Sequence, residues 1–466
     1  MQIPILNGIF TDSVADFRTS YPVNLTPVPK SQGISQGYLR PADGLVEFTT
    51  GPDIDRGGIE WNGVCYRVMG TELVEVASDG TVTVLGDVGT GGRVSMTYSF
   101  DRLAIASGGR LYYWDGTTLT QVTDPDLGTV IDVVWVDGYF MTTDGQFLVV
   151  TELTDPTQVN PLKYGSSEID PDAVKALIKI RNEIYAVNRN TIEVFDNIGG
   201  DFFPFQRIDG AQLERGAIGT HACCSFLSTV AFLGSGAGES PSIYLGVNAN
   251  TQKIATQEID TILLEYTEAE LADVILEDRN DKSHQFLYVH LPDRTLVYDA
   301  GASEAMGQPI WSVLTSSING FSQYRAQNFV WCYDKWIFGD PQQARLGYLT
   351  DEVSDHYGEI VRWEFGTAIV YNESRGALFH ELELVSLTGR VANGKNPIIT
   401  TSYSIDGMTW SQKHPIRVGT IGDRTKRLVW FQQGHMRNWR IQRFQGDSQA
   451  FISMARLEAR LEPLAF

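Results

Sequence analysis

The sequence predicts an all-β protein: a β-propeller of six or seven blades, a C-terminal antiparallel β-sandwich-like domain, and short helical insertions. The main observation is a hairpin, two short apolar runs around a turn-forming break. It occurs seven times, beginning near Val64, Leu103, Tyr139, Ile184, Val230, Phe286 and Val330. Successive hairpins start 36 to 56 residues apart, and a period of about 40 to 50 residues with paired short strands is typical of propeller blades. Aromatic residues at 11% and 45 glycines suit many short strands joined by tight turns.

The breaks within the hairpins are turns with a physical basis. Four of them are Asp79-Gly80, Gly108-Gly109, Asp144-Gly145 and Pro292-Asp293. Gly, Asn and Asp tolerate the positive φ that tight hairpins need. A propeller is a rigid disc that serves enzymes and structural proteins alike, so the fold alone does not choose a function.

Composition and charge limit the classes of function. The 466 residues, of which 42% are hydrophobic and 20% charged, indicate about three domains' worth of chain with a sizeable core. The net charge of -21 argues against a broad basic footprint for nucleic acid. Such acidity either keeps a large particle component soluble or lines a conduit through which a polyanion passes without sticking. The chain has no apolar run of about 18 residues, and its first ten residues do not resemble a secretory signal.

The four cysteines have no zinc-ligand spacing; they are Cys65, Cys223, Cys224 and Cys332. We expect buried free thiols, with a vicinal redox disulfide between Cys223 and Cys224 as the alternative. Folding in a reducing cytosol fits this expectation.

Three regions follow from changes of pattern along the chain. Residues 1–40 form an extended arm, because four prolines interrupt regular structure. Such an arm ties itself to a neighbour or lies across its own domain. Residues 41–355 form the propeller, with a lateral insertion near 150–180. Residues 356–466 hold five longer alternating runs and form the C-terminal β domain, which could instead supply the last blade.

Two segments carry helix signals. Residues 170–180 begin with Asp170 as a suitable N-cap and Pro171 at the first helical position. Residues 267–276 begin with Thr-x-x-Glu, the signature of a capping box. Each segment is therefore predicted to be a helix that interrupts the run of strands.

Three short motifs resemble known functional motifs but are incomplete. Residues 404–410 resemble the Asp-box of sialidase-type propellers, but the motif is one residue short and occurs once, so a hairpin turn is expected. The glycine-rich residues 234–240 lack the lysine of a P-loop and precede a strand, which predicts a hairpin tip. Residues 124–128 open like a calcium loop, but Trp135 stands where the twelfth-position glutamate is needed.

No catalytic, cofactor-binding or metal-binding residue is assigned, and no cofactor. Glu277, Asp278 and Asp281 are expected to lie in a solvated loop rather than at a metal site, and His221 and His290 are far apart in sequence. The chain contains no nucleophile elbow. Two glycosidase carboxylates could still lie among the 57 acidic residues, so the missing motif argues only weakly against an enzyme.

Several short stretches occur in the order and rough spacing of one protein family. They are Tyr21-Pro22-Val23-Asn24, Ser35-Gln36-Gly37-Tyr38-Leu39-Arg40, Gly92-Arg93-Val94-Ser95-Met96, Gly216-Ala217-Ile218-Gly219-Thr220, Glu265-Tyr266-Thr267-Glu268-Ala269-Glu270, His290-Leu291-Pro292, Leu296-Val297-Tyr298-Asp299-Ala300 and Trp311. Together they resemble the tail hub, or nozzle, proteins of short-tailed, podovirus-like bacteriophages, the packaged DNA stabilisation protein family. The resemblance covers most of residues 20–315. The chain departs from the family at residues 41–44, and its C-terminal third matches poorly.

The resemblance implies a structural virion protein without catalytic residues. It implies a ring of six copies that assembles below the head-to-tail adaptor after packaging, extends the DNA channel and helps to retain the DNA. It also implies contacts with tail fibres or tailspikes and with a needle or plug, a place in the virion tail, and assembly in the host cytoplasm. The alternatives are a carbohydrate-active propeller enzyme such as a depolymerase, and a monomeric scaffold that binds host proteins.

Two expectations concern mechanism. Hexamer contacts and adaptor docking are expected to carry the function, with the proline-rich arm and the turn loops as docking surfaces, because loops present binding residues on a rigid scaffold. The face that lines the channel is expected to be acidic.

Overall fold

The computed structural model describes residues 1–6, 8–11, 17–30, 33, 35–200, 202–247, 249–373 and 375–464. Within these ranges the fold is all-β, as predicted, and consists of a propeller and a sandwich. None of the helices in the described ranges is long and apolar enough to cross a membrane.

The N-terminal segment is more regular than its prolines suggested. Its strands are β1 (Gln2–Ile3), β2 (Gly8–Thr11), β3 (Phe17–Ser20), β4 (Leu25–Pro29), β5 (Gly37–Pro41) and β6 (Gly44–Thr50). Strands β2 and β3 pair as a hairpin, and β4 and β5 pair as a second one.

The described residues form seven blades, which is the higher of the two numbers predicted from the sequence. The strands of the first three blades are β7 (Asp55–Trp61), β8 (Val64–Met69), β9 (Glu72–Val76), β10 (Val82–Asp87); β11 (Ser95–Tyr98), β12 (Leu103–Ser107), β13 (Arg110–Trp114), β14 (Leu119–Gln121); β15 (Asp132–Val136), β16 (Tyr139–Thr143), β17 (Phe147–Thr151), β18 (Val159–Ser166). A 3₁₀ turn, Pro125–Leu127, links blades 2 and 3.

Blades 4 to 7 continue the order. Their strands are β19 (Val174–Ile180), β20 (Glu183–Asn188), β21 (Ile192–Asn197), β22 (Phe205–Arg207); β23 (Gly216–Ala217), β24 (Cys223–Phe226), β25 (Thr229–Ser235), β26 (Ser242–Val247), β27 (Asn250–Lys253); β28 (Ile275–Asp281), β29 (His284–His290), β30 (Thr295–Asp299), β31 (Trp311–Leu314); β32 (Gln327–Cys332), β33 (Lys335–Gly339), β34 (Arg345–Thr350). Helices α1 (Gln257–Leu263) and α2 (Glu268–Ala272) lie between blades 5 and 6, and α3 (Ala300–Met306) lies within blade 6.

The N-terminal strand β6 closes the ring. It pairs antiparallel with β34, from Gly44 opposite Thr350 to Thr50 opposite Arg345, and becomes the fourth strand of blade 7. The alternative that the C-terminal domain supplies the last blade is therefore wrong. The seventh hairpin in the sequence, β32 with β33, is made of the first and second strands of its blade, whereas the other six are made of the second and third.

Each blade buries both of its faces against neighbouring blades. In β17, Leu148 and Val150 pack with blade 4, while Val149 points the other way and packs with blade 2 and blade 3 residues. The same pattern holds around the ring, where every junction between neighbouring blades has its own apolar cluster, including the junction of blades 7 and 1. A sheet buried on both faces has continuous apolar runs rather than strict alternation.

The helix predicted at residues 170–180 is wrong, because Val174–Ile180 is strand β19. Leu177 packs with blade 3 while Ala176 and Ile178 pack with blade 5, so burial on both faces overrides the local cap signal. Residues 150–180, where an insertion was expected, contribute β18 and β19 to blades 3 and 4. The capping box at Thr267 is confirmed, although α2 ends at Ala272 and β28 begins three residues later.

The C-terminal region is an antiparallel sandwich, as predicted. Its strands are β35 (Arg362–Gly366), β36 (Val370–Tyr371), β37 (Ala377–Leu387), β38 (Ile398–Ser404), β39 (His414–Arg417), β40 (Leu428–Phe431), β41 (His435–Met436), β42 (Trp439–Asp447) and β43 (Ser453–Pro463). One sheet has the order β35-β42-β38-β39, with β36 also on β42. The other has the order β4-β5-β43-β37-β40, with β1 on β43 and β41 on β37.

The N-terminal arm is thus part of the sandwich. Strands β1 and β5 pair with β43, and β4 forms the outer edge of that sheet. Pro27 and Pro29 lie in this edge strand, where a missing N–H costs little. Leu25 and Leu39 are fully buried in the same apolar cluster as the C-terminal strands.

We expect Leu25→Ala to lower the free energy of unfolding by about 2 to 5 kcal/mol, because it leaves a cavity among C-terminal side chains. The matched control is Leu162→Ala, at a side chain that is 66% exposed in β18, which should change stability by no more than about 0.5 kcal/mol. Denaturant unfolding of both variants measures the difference. Equal stabilities would show that the arm does not contribute to the sandwich core.

Candidate functional site

The centre of the propeller is bridged by one ion pair. Arg93 lies just before the first strand of blade 2, and Glu277 lies in the first strand of blade 6, so the pair spans the axis rather than joining adjacent blades. Their charged atoms are 2.6 Å apart, and the Glu277 side chain is almost completely buried. The axial hole of this propeller is therefore blocked by side chains.

Glu277 also forms hydrogen bonds with the neighbouring blade 7. Its carboxylate accepts hydrogen bonds from the backbone N–H of Asn328 at 2.9 and 3.0 Å, and it lies 3.4 Å from the ring of His290. Burial alone would raise its pKa, but the Arg93 charge, the His290 ring and a backbone hydrogen bond from Phe329 outweigh burial and lower the pKa of Glu277 to about 2. The expectation of a solvated loop here is wrong. The stretch is strand β28, and Asp281 at its end contacts Arg40.

A second buried ion pair lies within blade 1 and is hydrogen-bonded to blade 7. Arg67 donates to both carboxylate oxygens of Asp55, at 2.8 and 2.6 Å, and to the backbone carbonyl of Asn328 at 3.0 Å. The side-chain amide of Asn328 donates to Asp55 at 2.6 Å. Blades 1, 6 and 7 therefore share one polar network at the point where the ring closes.

The other residues considered in the sequence have structural roles. Asp406 accepts hydrogen bonds from the N–H groups of Met408 and Thr409, which makes the expected turn. Residues 234–240 connect β25 and β26, as expected for a hairpin tip, and Pro125–Leu127 is a 3₁₀ turn. Burial and the charge of Arg93 lower the pKa of His221 to about 3.

The thiols are unpaired, and two carboxylates in one groove have hydrogen-bond or ion-pair partners. All four cysteines are free, and burial raises the pKa of each thiol. The described residues contain no group of His, Cys, Asp and Glu that could hold a metal ion. In a groove of about 620 Å³ between the arm and blade 6, Glu258 accepts from the N–H of Thr19 and Glu265 pairs with Arg294.

The surface best suited to binding is the face of the propeller where strands 1 and 2 meet. In six blades a two-residue turn joins these strands, and its first residue has a positive φ; these residues are Asn62, Asp137, Arg181, Leu227, Lys282 and Tyr333. We call this the turn face. Asn62 is followed by Gly63 and Asp137 is followed by Gly138, as expected for tight hairpins. Arginine, leucine and lysine at the same position show that the turn does not depend on one residue type.

Blade 2 departs from this rule. Four residues, 99–102, replace the two-residue turn and expose 92% of Phe100. The loop is held by a hydrogen bond from the Ser99 hydroxyl to Asp101 at 2.6 Å and by an Asp101–Arg102 ion pair at 2.6 Å. Phe100 lies edge-on to Trp135 of blade 3, with ring centroids 5.7 Å apart. An exposed aromatic ring on a preorganised loop is typical of a protein-binding anchor.

Phe100 could not have been singled out from the sequence. In the sequence, the loop that carries Phe100 looks like an ordinary hairpin break. Phe100 is exposed because this loop is longer than the corresponding turns of the other six blades, and that correspondence becomes apparent only in the folded ring. Glu277 was noticed, but its partner Arg93 lies far away in sequence and approaches only across the axis.

Comparisons with known proteins agree with the two-part architecture. A family model described as bacteriophage P22 Gp10, beta-propeller, matches residues 1–354, and one described as bacteriophage P22 Gp10, beta-sandwich, matches residues 362–462. The chain is 28% identical to the tail hub protein gp10 of Salmonella phage P22, over 99% of both chains.

Solved structures give weaker likenesses. The N-terminal domain of Nup159 is 8% identical, with 69% of this chain and 97% of that chain covered at a TM-score of 0.41. The WD40 domain of Pan2 from Neurospora crassa is 9% identical, with 66% and 95% covered at a TM-score of 0.41. Neither carries an argument about function.

We expect Glu277→Gln to destabilise the propeller most at neutral pH. Because the pKa of Glu277 is lowered on folding, its ionised form contributes stability above the unfolded-state pKa, and that contribution is lost as pH falls through the folded pKa. A shift from about 4.5 to about 2 corresponds to about 3 kcal/mol at pH 7 and about half of that at pH 3. Urea unfolding at both pH values measures it.

The control is Glu352→Gln, at an exposed acid, which should leave unfolding nearly unchanged at both pH values. A Glu277→Gln penalty that is the same at pH 7 and pH 3 would mean that the ionisation of Glu277 does not stabilise the fold.

Proposed function

This chain belongs to the bacteriophage P22 Gp10 family and is a structural protein of the virion tail hub, and we propose that six copies form a ring below the head-to-tail adaptor. In this proposal the ring extends the DNA channel, helps to retain the packaged genome, and carries tail fibres or tailspikes and a needle or plug. Assembly takes place in the host cytoplasm. The proposal contains no catalytic step.

The observation that supports it best is the extent of the match to a tail hub protein. The similarity covers 99% of both chains and therefore both the propeller and the sandwich. Propellers occur with many functions, so a match to the propeller alone would say little. Conservation of the whole two-part arrangement supports the same place in the virion.

The proposed DNA path runs between copies, along the axis of the ring. The Arg93–Glu277 bridge blocks the axis of the individual propeller, so that hole is excluded as a conduit. Residues 1–361 carry 48 acidic against 22 basic residues, whereas residues 362–466 carry 9 against 14. If the propeller faces the channel, its negative charge repels DNA and prevents adhesion to the wall. A ring structure with a basic lumen would contradict this.

Docking to the adaptor is proposed for the turn loops rather than for the arm as a whole. Strands β1 and β4 of the arm pair within the sandwich, so the backbone of these strands is hydrogen-bonded there and is not free to bind a partner. Residues 12–16 lie outside the described residues. Deleting residues 1–30 would remove part of the sandwich as well as a binding surface, and is therefore a poor test of docking.

The decisive experiment is electron microscopy of the purified chain mixed with the portal–adaptor assembly of the same phage. We expect a six-fold ring with an axial channel, stacked on the adaptor. Isolated propellers that do not bind the adaptor would contradict the proposal. Glycan-cleavage assays would then test the depolymerase alternative. If the ring forms as proposed, we expect the protein to show no activity in these assays.

A further inference from the structure

One part of the turn face combines exposed apolar side chains with acidic ones. We call it the crescent and define it by Phe100, Leu153, Ile198 and Phe202, each more than half exposed, together with Asp137 and Asp196. Asp196 lies near the end of β21, and the other residues lie in the strand 1–2 and strand 3–4 loops of blades 2, 3 and 4, which are at the same end of each antiparallel sheet. The same loops also carry Arg102, which pairs with Asp101, and the exposed Arg181.

The crescent is continuous from blade to blade. Phe100 contacts Trp135 of blade 3. A methyl group of Leu153 lies over Gly138 in the blade 3 turn, and the side chain of Asn197 in blade 4 donates to Asp137 at 3.3 Å. The loops of three blades therefore present one surface instead of scattered apolar residues, which alone would be normal.

The sandwich contacts the same face at blade 6. Arg40 of β5 pairs with Asp281 beside the blade 6 turn. Met306 of α3 packs against the sandwich core. The crescent lies on the same face in blades 2, 3 and 4, and the turn loops of the other blades remain available for the proposed docking to the adaptor.

A second surface, at one end of the sandwich, has the opposite charge. We call it the basic tip and define it by the exposed residues Leu387, Ile421, Arg424 and Lys426. Its loops are joined by the Thr388 hydroxyl, which donates to the carbonyls of Asp423 and Lys426, and by a hydrogen bond from Gly422 N–H to the Gly389 carbonyl. Neither Arg424 nor Lys426 forms an ion pair with the described residues.

We propose that neighbouring copies bind head to tail, the crescent of one against the basic tip of the next. The inference rests on the proposed ring and names its contact surfaces. Each surface has an apolar centre, and their charges are opposite, so contact buries apolar area while pairing Asp137 and Asp196 with Arg424 and Lys426. A crescent against a second crescent, or a tip against a tip, would bring like charges together, which costs free energy. A contact between two different surfaces of one chain generates a ring when its rotation closes.

Charge exchange tests this contact. The acid-reversed variant is Asp137→Lys/Asp196→Lys, and the base-reversed variant is Arg424→Glu/Lys426→Glu, both in the full-length chain. Lysine is acceptable at the Asp137 turn position, because Lys282 holds the equivalent place in blade 6 with φ of 56°. The readout is the number of copies per particle, by mass photometry and electron microscopy, with and without the portal–adaptor assembly.

We expect each reversed variant to weaken ring formation by about tenfold or more, since two attractive charge pairs become repulsive. A chain with all four reversals restores opposite charges and should form rings within about threefold of the wild-type concentration. This rescue also shows that the single variants are folded. The matched control, Asp209→Lys/Glu214→Lys, reverses two exposed acids in the loop between blades 4 and 5 and should assemble normally.

The apolar part is tested by Phe100→Ser, which should also weaken ring formation, against Leu162→Ser at an exposed leucine outside the crescent. Normal rings from both reversed variants, or failure of the four-fold reversal to restore rings, would overturn this contact while leaving the proposed ring intact. Absence of a ring from the wild-type chain on the adaptor would instead overturn the proposed function.

Discussion

The structure depends on the fact that every blade is apolar on both faces. A sheet of this kind cannot leave either face in water, so each blade needs a neighbour on both sides. Only a closed ring satisfies all seven blades, and the last junction, between blades 7 and 1, must be as well packed as the others. It has Cys65, Met69 and Val74 from blade 1 against Val330 and Ile337 from blade 7. The polar network of Arg67, Asp55 and Asn328 lies at the same junction.

Features that depend on local sequence were predictable, and features that depend on closure were not. The repeated hairpins, the turn at Gly80 and the capping box at Thr267 are local, because turn residues and caps act within a few positions. The pairing of Gly44–Thr50 with Arg345–Thr350 joins segments about 300 residues apart, and no local pattern encodes it. The helix predicted at residues 170–180 was wrong because burial on two faces overrode its cap signal.

The uneven distribution of charge suggests how an acidic protein can associate with itself. A uniform net charge of -21 would oppose contact between copies at every surface. Here the acidic excess belongs to residues 1–361, while residues 362–466 have a basic excess, so the proposed contact between copies would bring unlike charges together. The same division leaves the acidic part available to face nucleic acid. Neither property is visible in the overall composition.

Pairing between strands far apart in the chain means that neither unit can be completed until its later strand has been synthesised. Strand β6 pairs with β34, and strands β1 and β5 pair with β43 at residues 453–463. At translation rates of about 5 to 20 residues per second, the interval is about 15 seconds to a minute or more. A prematurely terminated product would have an open propeller, an incomplete sandwich and unpaired strand edges, and it would be a substrate for proteases. Only chains that extend through β43 would therefore be available for incorporation into a virion.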